Sequence, residues 1–360
     1  MFSKMCSVAQ KFGNRYYGKV GIIGVPFEKG QRKQGVGDGP DAIRAAGLVK
    51  ELQHLDLNVK DYGNLSYEVE DTQGVDNMPH LSEVAACNCN LSKMVQEILA
   101  DGRQVLTLGG DHSLGIGSID GHVKVSISDH LPNPRFSTNL YSYTFLCQAH
   151  TDVAVLWIDA HADLNTNKTS GSGNVHGMPV ALLTSELSDY WPHLPGMDWQ
   201  RPMLSIRNVA YIGLRSVDRY ERLVIEKFGI TAFGIEDVER YGIHDVVHMA
   251  LYRIDPRNEK SLHVSFDIDS LDPLEAPSTG TPVRGGLSLR EGIHLMEEIH
   301  RTNRLNAIDL VEVNPRIGTT SDVELTVNAA IHLIQAALGY TRRGLKVPEG
   351  ITDMPLQTFR

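Results

Sequence analysis

About eight short apolar runs, separated by segments with helical periodicity, constrain the fold of this 360-residue chain more than any other feature. The runs at Val153–Ile158 and Val209–Leu214 contain no alternating polar residues, so each strand needs cover on both faces. Crossover helices provide that cover in parallel sheets. We therefore expect one three-layer α/β/α domain with a central, mostly parallel eight-stranded sheet. A closed eightfold barrel is an alternative that the irregular short strands disfavour.

The expected strands and helices alternate along residues 20–340, which we interpret as a single domain. Strands are predicted at 20–27, 58–67, 105–108, 153–159, 209–214, 231–234, 262–267 and 307–311. Helices are predicted at 39–52, 81–99, 180–184, 218–228, 236–253, 288–301 and 326–338. The region from about 126 to 152 has no clear periodicity, so we interpret it as a surface insertion. The tail at 341–360 is expected to contact a second subunit.

The composition argues against several classes of function. A net charge of -10 disfavours a nucleic-acid partner, which needs a concentrated basic surface. No segment approaches the roughly 18 unbroken apolar residues of a membrane span. Four cysteines are too few for a disulfide framework. We therefore expect a soluble, cytoplasmic protein, although the basic and acid-free residues 1–19 weakly resemble a transit peptide.

The stretch Asp159-Ala160-His161-Ala162-Asp163 directly follows the apolar run Val153–Ile158. Alternate side chains of a strand share a face, so Asp159 and His161 project together, and Asp163 completes the set. Three such acceptors would repel one another unless a cation held them, which makes this stretch a candidate metal site. A helix cap with a solvated histidine is the alternative.

Similar residues follow two other predicted strands. His112 comes after the strand at 105–108, and Asp267 and Asp269 share one face at the end of the strand at 262–267. The ligand site of an open parallel sheet lies beyond the carboxyl ends of its strands, so we expect these side chains to converge. Considered by itself, a histidine such as His112 is more often a loop residue hydrogen-bonded to the backbone than a metal ligand. The six candidate ligands are His112, Asp159, His161, Asp163, Asp267 and Asp269.

The four carboxylates in this set carry four negative charges, which two divalent cations would balance. A mixture of six oxygen and nitrogen ligands favours harder ions such as Mn²⁺ over zinc. Paired ions can share a water molecule and convert it to hydroxide near neutral pH. The predicted chemistry is therefore hydrolysis, and the acidic chain suits a small cationic substrate.

Four motifs, in order along the chain, resemble the signatures of the ureohydrolases and specifically of the arginase family. They are GGDHS at 109–113, DAHADLN at 159–165, SGNVHG at 172–177 and SFDIDSLDP at 265–273. The resemblance implies an α/β fold with an eight-stranded parallel sheet, two Mn²⁺ ions per subunit and a homotrimer. It also implies hydrolysis of L-arginine to L-ornithine and urea, a reaction of the urea cycle, by a hydroxide that bridges the two ions.

The resemblance further implies how the ligands are divided. Asp159 and Asp267 would bridge the two ions. One ion would also take His112 and Asp163, and the other His161 and Asp269.

Three residues are implied in catalysis on the same grounds. Asp163 would protonate the departing amine, and His176 would carry protons to bulk solvent. Glu312 would pair with the substrate guanidinium. The alternative for His176 is a histidine at a helix start. The residues implied at the amino-acid head of the substrate are Asn165, Ser172 and Asn174 for the α-carboxylate, and Asp218 or Glu221 for the α-amino group.

Two features depart from the family pattern. Ser216 stands where many members carry an acid, and the insertion exceeds the usual connection. Arg290 and Glu291 match a pair at the trimer contact, for which exposed helix-end charges are the alternative. The rival functions are an agmatinase or another ureohydrolase, which would keep the metal ligands, and a catalytically silent metal-binding scaffold.

Overall fold

The computed structural model describes residue 16 and residues 18–70, 72–128 and 152–343. This part of the chain contains an eight-stranded sheet in which every neighbouring pair of strands is parallel. The strands are β1 (Lys19–Val25), β2 (Asn58–Asn64), β3 (Gln104–Gly109), β4 (Val153–Ile158), β5 (Val209–Leu214), β6 (Thr231–Gly234), β7 (Ser261–Asp267) and β8 (Leu305–Val311).

The spatial order is β2-β1-β3-β8-β7-β4-β5-β6. The sheet is open, with β2 and β6 at its edges, so the predicted α/β architecture is confirmed and the barrel alternative is wrong. The carboxyl ends of β3, β8, β7 and β4 lie side by side at the centre of the sheet. In the register of β4 and β7, Ile158 pairs with Phe266. The acids that follow these two residues, Asp159 and Asp267, therefore emerge at the same level.

Helices cover both faces of the sheet and make three layers. The described helices are α1 (Gly39–Ala45), α2 (Leu48–Gln53), α3 (Leu81–Ala100), α4 (Gly115–Ser128), α5 (Pro179–Leu183), α6 (Arg219–Phe228), α7 (Ile235–Ile254), α8 (Leu289–Arg301) and α9 (Thr320–Ala337). Apolar residues of α1, α2, α7, α8 and α9 pack on one face, and those of α3 to α6 pack on the other. Buried apolar strands covered on both faces explain the continuous hydrophobic runs.

Helix α4, whose sequence contains three glycines, was not predicted. A Cβ atom at Gly117 would lie 2.4 Å from the carbonyl oxygen of Asn88, and one at Gly121 would lie 2.5 Å from that of Ser92. These glycines therefore allow α4 to pack closely against α3. Most of the predicted insertion, from residue 129 to 151, lies outside the described residues, as does the tail from 344 onward.

Two other helix predictions had the wrong boundaries. The helix predicted at 39–52 is divided into α1 and α2, because Gly47 adopts a left-handed conformation with φ 96°. Helix α9 begins at Thr320 rather than at residue 326. The Thr319 side chain caps this start by accepting a hydrogen bond from the backbone N–H of Asp322. No helix in the described ranges is long and apolar enough to cross a membrane.

Candidate metal centre and active site

Two contacts with residues other than the carboxylates hold the His112 ring in place. Its ring stacks on Trp157 with a centroid distance of 3.9 Å, and its Nε2 lies 2.9 Å from the hydroxyl of Ser265. The chain can turn tightly into this position at Gly110, where a Cβ would lie 1.8 Å from the carbonyl oxygen of Phe27. Packing and the serine contact therefore present Nδ1 of His112 to the carboxylates at the neighbouring strand ends.

Asp159 is shared between two groups of side chains. Its Oδ2 lies 3.1 Å from Nδ1 of His112, and its Oδ1 lies 3.4 Å from Nδ1 of His161. Donor atoms of His112, Asp159 and Asp267 lie within 4.8 Å of one another, as do those of Asp159, His161 and Asp269. The structure thus brings two potential cation sites together with one carboxylate in common.

The remaining acids complete these two groups. The Oδ2 atoms of Asp163 and Asp267 each lie 3.3 Å from Nδ1 of His112. Asp269 Oδ2 lies 3.2 Å from Nδ1 of His161 and accepts a hydrogen bond of 2.9 Å from the Thr281 hydroxyl. All six predicted ligands therefore converge, with Asp267 beside His112.

The cluster is short of positive charge. Burial, followed by repulsion from Asp269 and Asp159, raises the pKa of Asp267 well above its ordinary value. Burial lowers the pKa of His161, but hydrogen bonds to Asp159 and Asp269 outweigh it and raise the pKa to about 12. Four buried carboxylates thus lie beside only two imidazoles, an excess of negative charge that divalent cations would balance. This buried set of oxygen and nitrogen donors fits a pair of divalent cations.

Glu312 and His176 form a pair beside the metal ligands. Nδ1 of His176 lies 3.0 Å from Oε1 of Glu312, which also accepts a 2.9 Å hydrogen bond from the backbone N–H of His112. Burial lowers the pKa of His176, but the Glu312 carboxylate outweighs it and raises the pKa to about 9. Glu312 is buried, while the His176 side chain is 20% exposed. His176 therefore connects the buried site with its surface.

Asp111 is a buried site acid that the sequence analysis missed, although it follows β3 in the same motif as His112. Its Oδ2 accepts a 2.7 Å hydrogen bond from the backbone N–H of Gly30, whose carbonyl oxygen accepts one of 3.0 Å from the N–H of His176. Burial and then Glu312 raise the pKa of Asp111 to about 6. Asp111 thus ties the loop after β1 to the segment that carries His176.

Four of the five residues predicted for the substrate head form two contacting pairs. The Asn165 amide donates a 3.0 Å hydrogen bond to Oδ2 of Asp218. The Ser172 hydroxyl accepts one of 3.2 Å from the backbone N–H of Asn174. Arg32, which the sequence analysis missed, donates to the carbonyl oxygen of Ser172 at 2.9 Å. These contacts connect the loop after β4 with the segment after β5 and place the Arg32 guanidinium at the edge of the β4 loop.

Glu221 has a different environment from Asp218. Its two carboxylate oxygens accept backbone hydrogen bonds of 2.9 Å from Leu164 and 2.8 Å from Asp218, and its side chain is buried. Asp218 is exposed at the start of α6. Between the two acids proposed for the α-amino group, this geometry favours Asp218 and gives Glu221 the task of positioning it. Ser216 is also exposed, and its backbone N–H donates to Ala160.

The pair predicted at a subunit contact lies at the start of α8. Arg290 is exposed, and the Glu291 side chain accepts hydrogen bonds from the backbone and the hydroxyl of Ser288. Glu291 therefore has a capping function within the chain, and its place in a trimer stays a prediction.

An open parallel sheet with an imidazole and carboxylate centre at its carboxyl edge defines a metal-dependent hydrolase of the ureohydrolase class. Residues 18–339 match the arginase family. The chain is 41% identical to arginase-1 of Sus scrofa over 331 residues, which cover 91% of this chain and 95% of that protein. It is also 41% identical to human mitochondrial arginase-2, over 90% of this chain and 86% of that protein.

Solved arginase structures are also similar to this chain. The arginase of Bacillus caldovelox superposes with a TM-score of 0.75 at 32% identity, covering 90% of this chain and 99% of the other. The Entamoeba histolytica arginase, solved in complex with L-ornithine, gives a TM-score of 0.72 at 30% identity, covering 90% and 100%. The chain belongs to the arginase family, whose members are hydrolases that act on the guanidino group of arginine.

Proposed function

We propose that this enzyme hydrolyses L-arginine to L-ornithine and urea with two Mn²⁺ ions bound to each subunit. The observation that carries this proposal is the position of Asp159, which offers one carboxylate oxygen to each of two histidine and aspartate groups. The family membership and the L-ornithine complex of the Entamoeba histolytica relative support the choice of substrate.

The ligands divide as the contacts suggest. One ion would be held by His112 and Asp163 and the other by His161 and Asp269. Asp159 and Asp267 are proposed as ligands that both ions would share. Two Mn²⁺ ions held by these residues would activate a water molecule and neutralise the negative charge that develops in hydrolysis of the guanidinium group. The predominance of carboxylate oxygens favours Mn²⁺ over softer ions.

The side chains around the ligands bind the cationic tail and move protons. Glu312 is a buried carboxylate that can accept hydrogen bonds from the guanidinium group. The Asp163 carboxyl lies beside His112 and can deliver a proton to the departing amine. His176 is partly exposed, so it can exchange protons with solvent and restore them to the site.

The loop after β4 and the segment after β5 bind the amino-acid head. Asn165, Ser172 and Asn174 offer amide and hydroxyl groups to the α-carboxylate, and Asp218 offers a carboxylate to the α-amino group. This pairing separates an arginine hydrolase from an agmatine hydrolase, because agmatine has no α-carboxylate to bind.

The test is urea release by the Mn²⁺-loaded enzyme from L-arginine and from agmatine, measured side by side at saturating metal. We expect L-arginine to be hydrolysed with much the higher kcat/KM. Faster hydrolysis of agmatine would replace the proposal with an agmatinase. Urea release at background from both substrates would instead favour a silent metal-binding scaffold.

We also propose a homotrimer that works in the cytoplasm. The exposed Arg290 at the start of α8 supports a subunit contact on that face. Light scattering during size-exclusion chromatography would give the mass of the assembly, and a monomeric mass would contradict the trimer. Fractionation of cells that express the full chain tests the location, and recovery with mitochondria would overturn it.

A further inference from the structure

A second group of metal-binding side chains lies on α7 and α8, away from the carboxyl edge of the sheet. His244 and His248 are four residues apart on α7, in the segment after its kink at Gly242. His294 and Glu298 are four residues apart on α8. Residues with this spacing lie on the same face of a helix. The two packed helices therefore direct four donor side chains towards one another, and we call this set the α7–α8 cluster.

The distances within the α7–α8 cluster suit a small cation. His248 Nε2 lies 3.2 Å from Oε2 of Glu298, and His244 Nδ1 lies 3.6 Å from Oε1. The Nε2 atom of His294 lies 3.8 Å from the same Oε1. In tetrahedral zinc sites with bonds of about 2.0–2.1 Å, neighbouring ligand atoms are separated by about 3.4 Å. The observed distances from the imidazoles to the carboxylate are close to that value, and ligand atoms of His244, His248 and Glu298 all lie within 4.8 Å of one another.

The burial of these side chains is suited to uptake of an ion from solvent. The Glu298 side chain is only 6% exposed, whereas those of His244 and His248 are 57% and 55% exposed. The buried Glu298 carboxylate would be a fixed ligand, and an ion could reach it from solvent past the exposed His244 and His248 side chains.

Arg301 currently satisfies the charge of Glu298, since its Nη1 donates a hydrogen bond to Oε1. The Arg301 side chain is 51% exposed, so it can turn into solvent when a cation takes its place. Next to it, Arg342 pairs with Glu297 at 2.9 Å. The α7–α8 cluster is therefore charge-balanced without a metal, and Arg301 competes with one.

We propose that His244, His248 and Glu298 bind one Zn²⁺ ion, with His294 as the fourth ligand, and that this ion links α7 to α8. Imidazole-rich donor sets suit zinc better than the hard cations preferred by carboxylate-rich sites. The ion requires the packed pair of helices, so its binding stabilises the folded chain.

The experiment uses the full-length, Mn²⁺-loaded enzyme, equilibrated with a small excess of Zn²⁺ and then desalted. Zinc and manganese per chain are measured in the wild type, in the double variant His244→Ala/His248→Ala, and in the control variant His54→Ala/His332→Ala. The control removes two exposed histidines outside the cluster. We expect the wild type and the control to retain one zinc per chain more than the double variant, with equal manganese in all three.

Equal zinc in the wild type and the double variant would overturn the proposal, as would a wild type that takes up no zinc. Zinc that displaces Mn²⁺ from the strand-end centre is recognised because manganese would fall by the same amount in every variant. Urea release from L-arginine by the same preparations shows that each variant is folded.

A second measurement tests the competition by Arg301. We expect Arg301→Gln to bind Zn²⁺ about tenfold more tightly, because a charge-assisted hydrogen bond no longer has to be broken. Zinc should raise the melting temperature of the wild type by a few degrees and leave that of His244→Ala/His248→Ala unchanged. A zinc-induced rise of the same size in the double variant would contradict a bound ion between α7 and α8.

Discussion

The strand-end metal centre and the α7–α8 cluster use the same kinds of side chain in opposite proportions. The strand-end centre has four aspartates and two histidines, all buried except His161, so its carboxylates outnumber the imidazoles. The α7–α8 cluster has three histidines and one glutamate, and Arg301 already balances that carboxylate. Excess buried acid makes a cation a requirement, whereas excess imidazole at the surface makes it optional.

The backbone explains part of this difference. At the ends of β4 and β7, predicted ligands two residues apart are linked through the backbone. The N–H of His161 donates to Asp159 at 2.7 Å, and that of Asp269 donates to Asp267 at 2.8 Å. The α7–α8 cluster depends instead on long side chains from two helices. The first arrangement is rigid enough for catalysis, and the second suits a structural link.

The largest effect should follow from removing the shared carboxylate. Asp159→Ala should lower kcat/KM for L-arginine by more than about 10³-fold, since both groups of ligands lose a member and the hydroxide-forming site is lost. The amount of manganese that Asp159→Ala retains after desalting should also fall below that of the wild type. Asp189→Ala, at an exposed aspartate, is the control. Full manganese content in Asp159→Ala would contradict the bridging position.

A smaller effect is expected for proton transfer. His176→Ala should lower kcat by about 10²-fold and leave manganese content unchanged, because His176 contacts Glu312 and not the proposed ligands. Added imidazole should restore part of the rate. If the variant loses manganese, or if imidazole has no effect, the assignment of proton transfer to His176 is wrong.

The substrate head gives a test of intermediate size. Asn174→Ala should raise KM for L-arginine about tenfold with little change in kcat, because one hydrogen bond to a charged carboxylate is lost. The kcat/KM for the slow hydrolysis of agmatine is the internal control, and we expect it to be the same in Asn174→Ala and the wild type. An equal loss for both compounds would indicate a disturbed loop.

The smallest effect on activity is expected for substitutions in the α7–α8 cluster. His244→Ala/His248→Ala should leave kcat/KM for L-arginine within about twofold of the wild type, as exposed substitutions usually do. The measurement is urea release by the Mn²⁺-loaded variant without added zinc. A tenfold loss would show that the α7–α8 cluster and the strand-end centre are coupled.

The success of the sequence analysis at the strand-end centre has a simple physical cause. Five of the six ligands lie at 159–163 and 267–269, directly after apolar strands, and the two-residue period of a strand predicts which of them share a face. Asp111 escaped attention because a single acid between glycine and histidine shows no periodicity. Helix α4 escaped because glycine at a close helix contact looks the same in sequence as glycine in a loop.

The sequence by itself determined the parallel α/β architecture and the local ligand pairs, because both depend on residues that are neighbours along the chain. Only the tertiary structure decided that β8 and β7 lie between β3 and β4, and thus that Asp159 faces His112 with one oxygen and His161 with the other. It also brought His244 and His248 to Glu298, about 50 residues further along the chain. Crossover connections and helix packing set these contacts, and neither leaves a local pattern in the sequence.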